Sequence, residues 1–599
     1  MALERKEIEQ KYKWDLSQIY STEADFDADL AEAKKLISAF GKHEATMTKS
    51  AADLYAALSD NSAIADKIQL LWCYANLGFA VDTSDNTAQG RVARVRSLAV
   101  EADSATWFLT PRLMELDEAV VEGWYAELPE LGSYDRIIGK ALARKPYMLS
   151  DECEKLMAKM GSCLDTHEDI RGIFANSDLQ FGKIRNENGE LISLDGSNYV
   201  SFLMSSDRRV RQSAFRTLYK TYGQFANTFG TMYSHYVKEQ CTLAKVRGYS
   251  SSLAASTFSD EVTPIIYNSL IKSVHKAMPV IYDYYELKRS VLGVEKLHMY
   301  DLYAPLVGEL DSEYSYEQAI DEVLKTAEVF GGEYYDVLKS GLTERGWVDV
   351  YPTRGKRSGA FSSGCPGTEP YILLNYMGNY SDVSTLIHEA GHSMHSYFAR
   401  KYNPAHRSQY TIFVAEVAST VNELLLAHRK LAESESREEK LYILNQIMET
   451  YKSTLYRQTM FAEFERDIHA LHEKGTPLTA DLICKNYKRL INLYFGKNVV
   501  KDEQISYEWM RVPHFYSAFY VYKYATCISA ASAIVKRIES EGESYIGKYI
   551  DFLKCGDSLS PVESLKLAGI DMTDPTVIEG AIEDFSSAIA DFRRIYNEK

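Results

Sequence analysis

The sequence predicts a mostly α-helical, two-lobed fold with a small β element, on three observations. Amphipathic helical periodicity runs from about residue 20 to 175, resumes at Arg208, continues with interruptions to about 345, and returns from Ser381 to Lys599. Only 14 prolines and 33 glycines are present, too few for a turn-rich sandwich. With 599 residues the chain exceeds what one hydrophobic core organises, so at least two lobes are expected. The first periodic stretch illustrates the helices: STEADFDADLAEAKKLISAF sets Phe26, Leu30, Ala33 and Ile37 at helical spacing behind a Ser/Thr start. Around 176–203 the pattern changes, and Asn188–Gly189 between two short alternating segments predicts a hairpin. The one extended glycine- and serine-rich stretch, Thr353–Tyr376, leads into Tyr371–Tyr376, an apolar run that reads as a short strand. No fixed-period repeat and no low-complexity segment interrupts this plan.

Composition narrows the function classes. Lys and Arg number 67 against 84 Asp and Glu, a net charge of −17. That balance argues against nucleic-acid binding, which needs clustered cations to neutralise phosphates. No run approaches the ~18 apolar residues of a membrane span, so no membrane partner is expected. The first twenty residues are charged and amphipathic, with no apolar core of a secretory signal. Eight scattered cysteines without a CxxC pair fit a reducing compartment. A cytoplasmic protein is expected. The 43 tyrosines, nearly twice the 23 phenylalanines, are a surplus that a bland core does not need.

The chemistry is concentrated in His388-Glu389-Ala390-Gly391-His392. On a helix, i and i+4 share a face, so both imidazoles can meet one ion while Glu389 polarises a water on it. Ser381 or Asp382 is the expected cap of that helix, and Pro404 lies beyond its end. No Asp or Glu lies between Glu389 and Glu416, which makes Glu416, 24 residues past His392 on the segment Tyr410–Leu431, the candidate third ligand. The extended metzincin pattern needs glycine at 395 and histidine at 398; the chain has His395 and Phe398. Shorter His-to-Glu spacings fall near Thr411 and Ile412, which are not carboxylates. Glu423, seven residues past Glu416 on the same face, and Asp382 are candidates to orient a ligand histidine. His395 is expected to pack rather than ligate.

HEAGHSMHSYFA, then AEVASTVNE, then HFYSAFYVYKYATC resemble the zinc peptidases of the thimet oligopeptidase (M3) family, most of all its oligoendopeptidase F branch. The resemblance covers most of the chain: an N-terminal helical region of that type over 1–190 and a catalytic region over 191–599. It implies one Zn2+ per chain on His388, His392 and Glu416, with Glu389 as general base. It implies a two-lobed helical shell with a deep channel, short peptides as substrates, and endopeptidase activity. A histidine and tyrosines near the C-terminus would bind substrate and stabilise the oxyanion; the matching residues are His514, Tyr516, Tyr520, Tyr522 and Tyr524. The spacing of Tyr516, Tyr520 and Tyr524 puts them on one face of a helix, and Tyr520 and Tyr516 rank first for the oxyanion. Gly359 and Ala360 would let a substrate backbone approach, and Tyr371–Tyr376 would offer it a strand edge. The alternatives are a helical metallocarboxypeptidase and a non-catalytic helical peptide-binding protein. A monomer or small homo-oligomer is expected.

Overall fold

Thr22 caps the first long helix, Glu23–Ala39, and Asp25 returns the bond in a capping box; Phe26, Leu30, Ala33 and Ile37 form its buried face. The same logic of polar cap and apolar stripe repeats along most of the chain. The computed structural model describes residues 4–598 apart from 165, 309, 311 and 312, and these are mostly helical. They form two compact units, one of Met1–Pro146, Asp311–Leu426 and Ile534–Ile570, the other of Tyr147–Leu310, Ala427–Ala533 and Asp571–Lys599. The units are therefore interleaved along the chain.

In the first unit a three-stranded sheet precedes the histidine helix. Tyr371–Leu373 is its central strand, paired in parallel with Val348–Asp349 and antiparallel with Phe361–Ser363. This corrects the sequence expectation: Tyr371, Ile372 and Leu373 are fully buried and carry a neighbour on both sides, so they offer no edge. An unbroken apolar run is what a strand covered on both faces requires. The two edge strands are Val348–Asp349 and Phe361–Ser363. The N-terminal segment braces this sheet. The Val350 amide donates to the Tyr12 carbonyl at 3.0 Å, and Trp14 packs edge-on against Tyr371 with ring centroids 6.0 Å apart. Buried Asp349 is neutralised by Lys356 Nζ at 2.8 Å and Arg5 Nη2 at 2.6 Å.

The helix Tyr380–Tyr402 begins at Asn379, whose side chain accepts from the Asp382 amide while the Asp382 carboxylate accepts from the Asn379 amide. The cap is thus Asn379 rather than Ser381 or Asp382, with Asp382 closing the box. The helix packs on Tyr316–Ala327 and Glu543–Lys554.

The second unit contains the expected hairpin, with Lys183–Arg185 antiparallel to Leu191–Ser193 and Gly189 at φ +80° in the turn. Helices Ala226–Val246 and Gln458–Glu473 pack together in it, as do Arg437–Thr450 and Thr576–Asn597. Regular helix fails between Glu503 and Val521. Two 3₁₀ segments, Glu503–Arg511 and Pro513–Tyr516, are followed by a turn before the helix Tyr522–Glu541 starts.

Candidate metal centre

Two helices of the first unit build the site. His388 and His392 lie one turn apart on Tyr380–Tyr402, and Glu416 comes from Ile412–Glu433. The two Nε2 atoms are 3.1 Å apart, and Glu416 Oε2 is 3.4 Å from each. Among the described residues this is the one group of three or more His, Cys, Asp or Glu side chains with ligand atoms close enough to hold a metal ion, all within 4.8 Å of one another.

The helices can approach this closely because of Gly391. A Cβ there would stand 2.6 Å from Ser419 Cα and 2.7 Å from the Ala418 carbonyl oxygen. Glycine costs a helix interior about 1 kcal/mol relative to alanine, and here the loss purchases the crossing that brings Glu416 to the histidines. Ser419 also donates to Glu416 Oε2 at 3.1 Å, holding the carboxylate on that side.

Electrostatics favour a cation. Three carboxylates, Glu389, Glu416 and Glu423, surround two imidazoles. Glu423 Oε1 bonds His388 Nδ1, and a proton on that nitrogen leaves Nε2 free to ligate. Burial pulls the His388 pKa down, but the Glu423 hydrogen bond and the three acidic charges outweigh it and raise it to about 9. Burial pushes Glu416 up, yet the histidines and Ser419 bring its carboxyl down to about 2. Glu389 is only 6% exposed, and burial, opposed by the histidines, raises its pKa. Two imidazoles and a carboxylate are a donor set suited to zinc, and the surrounding negative charge is what a divalent ion would offset.

The remaining predicted residues separate into groups. Asp382 lies at the helix start, accepting from the Met377 and Asn379 amides at 2.9 and 3.1 Å, and does not reach a histidine among its bonds. His395 stacks on Tyr410 at 3.7 Å and is buried, and burial pulls its pKa down to about 3. Gly359 has φ +82°, and its carbonyl accepts from Asn375 at 2.8 Å; with Ala360 it leads directly into the edge strand Phe361–Ser363.

In the second unit, His514, Tyr520 and Tyr524 cluster. The His514 and Tyr520 rings stack at 5.9 Å, and Tyr524 meets Tyr520 edge-on at 5.5 Å and His514 at 6.0 Å. Burial and the Arg171 charge lower the His514 pKa, so its imidazole is neutral near pH 7. The shared helix face of Tyr516, Tyr520 and Tyr524 does not form, because the turn before Tyr522 intervenes. Tyr516 is buried against Tyr233 and Tyr236, at 5.8 and 5.3 Å, and Tyr522 is buried against Tyr267 with its hydroxyl 3.3 Å from Asp260.

Several residues that shape these sites carried little sequence signal. The Ser362 backbone hydrogen-bonds Glu389, and the Ser362 hydroxyl meets Ser393 at 2.9 Å, tying the edge strand to the histidine helix. Glu465 accepts from the Phe519 amide at 3.0 Å, and Tyr236 from the Ala518 amide at 2.8 Å. Those bonds hold Phe519 at φ +56°, a conformation a bulky residue seldom adopts. Gly391 alone had a readable cue, a glycine inside a helical pattern.

No helix among the described residues is long and apolar enough to cross a membrane. Residues 201–584 match the model of peptidase family M3, and residues 112–181 match that of oligopeptidase F. Oligopeptidase PepF of Bacillus subtilis is 38% identical over 99% of this chain and 88% of that protein. An oligoendopeptidase F homolog of Borreliella burgdorferi is 35% identical over 99% of this chain and 100% of its own length. The crystal structure of oligoendopeptidase-F from Enterococcus faecium superposes with a TM-score of 0.76 at 32% identity, covering 96% of this chain and 99% of that one. The helix-borne histidines and distant glutamate thus sit in a chain that belongs to peptidase family M3, in its oligoendopeptidase F branch, and is an enzyme of the metalloendopeptidase class.

Proposed function

We propose that this chain hydrolyses internal bonds of short oligopeptides, with one zinc ion on His388, His392 and Glu416 and with Glu389 as the general base. The observation that carries the reading is the convergence of those three ligand atoms beside a buried carboxylate with a raised pKa. Zinc in such a site supplies Lewis acidity, acidifying water toward neutrality and polarising a carbonyl. Glu389 takes the proton of the attacking water and delivers it to the departing amine; burial makes its carboxylate a stronger base than a solvated one. Glu423 fixes the tautomer and orientation of His388 and makes Nε2 a better donor. The unpaired side of Phe361–Ser363, entered through Gly359 and Ala360, pairs with an extended peptide backbone, which favours short unfolded substrates. His514 and Tyr520 donate to the oxyanion, with Tyr524 holding their rings; their mutual packing and the family resemblance support this assignment. Eight free cysteines support work in a reducing compartment such as the cytoplasm.

The test is a cleavage map of a nonapeptide blocked at both ends, read by mass spectrometry with and without chelator. Internal cuts abolished by chelator are expected. Products shortened by single C-terminal residues from an unblocked peptide, with the blocked one intact, would show a carboxypeptidase instead.

A further inference from the structure

Within the second unit lies a cavity of about 300 Å³, every lining residue of which belongs to that unit. Sites for small organic ligands begin at about this size. Part of its wall is the rings of Tyr199, Tyr219, Tyr285 and Tyr456, all buried. Another part comes from Tyr451–Arg457, which is wound as a π-helix between two α-helices. The widened turn sends Lys452, Ser453 and Arg457 to the cavity. Such π segments are rare and concentrate at functional sites.

The charges on this wall do not balance. Glu449 is bonded by Lys288 Nζ at 2.9 Å, by Lys452 Nζ and by the Tyr284 hydroxyl. Glu508 accepts from Arg457 Nη2 at 2.7 Å and from the Tyr487 hydroxyl at 2.6 Å. The third lining cation, Arg511, lies over the Tyr199 ring at 4.8 Å, bonds Tyr219 and feels the Glu508 charge, but is in ion-pair contact with no carboxylate among the described residues. Three cations, Lys452, Arg457 and Arg511, therefore line the cavity with two carboxylates that already have their donors, and Lys288 stands behind Glu449. In the adjoining cluster Arg208 and Arg211 share the carboxylate of Asp301, and Asp502, which also acts on Arg208, bonds His298. Uncompensated charge beside apolar rings is costly, and an anion with an apolar body would relieve it.

We propose that this cavity binds a small organic carboxylate, its charge paired with Arg511 and its body packed on the tyrosine wall. The planar guanidinium matches a carboxylate through two parallel N–H bonds, and Lys452 adds a second positive charge. A neutral ligand would leave the surplus unmatched, and an inorganic anion would leave the tyrosine faces uncovered.

The experiment is calorimetric titration of the full-length zinc-loaded enzyme with 3-phenylpropanoate, with its neutral amide and with inorganic phosphate. The carboxylate is expected to bind at least tenfold more tightly than either. Arg511→Gln should weaken it at least tenfold, and Ser453→Phe, which fills the cavity and leaves Arg511 in place, should do the same in a protein that still unfolds cooperatively. His388→Ala should leave the binding intact, because the metal centre is not the site. Amide or phosphate binding as tightly as the carboxylate, binding that survives both cavity variants, or binding lost in His388→Ala would each overturn the proposal.

Discussion

The metal centre and the His514–Tyr524 segment are held in place by different means. The ligands of the first unit stand on two regular helices whose spacing is set by backbone ladders and by the close crossing of Gly391 and Ser419. The residues of the second unit stand on a 3₁₀ segment and a turn with a positive φ at Phe519, held by single hydrogen bonds from the Phe519 and Ala518 amides to Glu465 and Tyr236. The first arrangement is rigid through packing and should respond to volume. The second depends on a few polar contacts and should respond to the loss of individual groups.

Gly391→Leu is the sharpest way to break the contrast. Its side chain would meet Ser419 and Ala418, pushing Glu416 from the histidines, so zinc affinity should fall at least about 100-fold, with about 1–3 kcal/mol lost from overpacking. Metal titration against a chromogenic chelator reads the first, thermal unfolding the second. In the other region Tyr520→Phe removes one hydroxyl and should cut kcat/KM about 100-fold at unchanged zinc content. Glu423→Gln follows, with about 10–100-fold weaker zinc binding, because His388 loses the carboxylate at Nδ1. Tyr516→Phe should change kcat/KM less than about threefold, since the buried Tyr516 hydroxyl has no hydrogen-bond partner among the described residues. Equal losses for Tyr516→Phe and Tyr520→Phe would erase the distinction between the clustered and the buried phenol.

Glu465 offers a pH-dependent version of the same comparison. Burial raises its pKa well above the usual carboxylate value, against the Phe519 amide bond and Lys523. Unfolded, it releases its proton near pH 4.5; folded, it keeps the proton to higher pH, so its contribution to stability is intact below that point and declines as pH rises. Glu465→Gln, which mimics the protonated form, should therefore match wild type at low pH and exceed it in thermal midpoint by a margin that widens as pH rises above the unfolded value of 4.5. A constant margin would show that Glu465 is ionised in the fold.

How much of this was legible depended on whether local periodicity governed the backbone. His388 and His392 were readable because their helix is regular over its whole length, and Glu416 because no other carboxylate is available in the intervening chain. The same i, i+4 argument failed for Tyr516, Tyr520 and Tyr524. The turn that breaks it is stabilised by Glu465 and Tyr236, distant in sequence, and Phe519 lacks the glycine or asparagine that usually marks a positive φ. The apolar run Tyr371–Tyr376 shows a strand in the sequence but not its place in the sheet, because pairing partners are a tertiary property: Tyr371–Leu373 is paired on both sides. The interleaving of the two compact units was not visible either, since it arises from contacts between stretches hundreds of residues apart.

The central claim is that Glu389 performs the proton transfers at a zinc held by His388, His392 and Glu416. Glu389→Gln, measured for zinc by mass spectrometry and for turnover on a fluorogenic nonapeptide, tests it most directly. The predicted result is a wild-type metal content of about one equivalent with turnover reduced by about three orders of magnitude. Near-normal turnover in that variant, or full turnover in metal-free wild type, would contradict it.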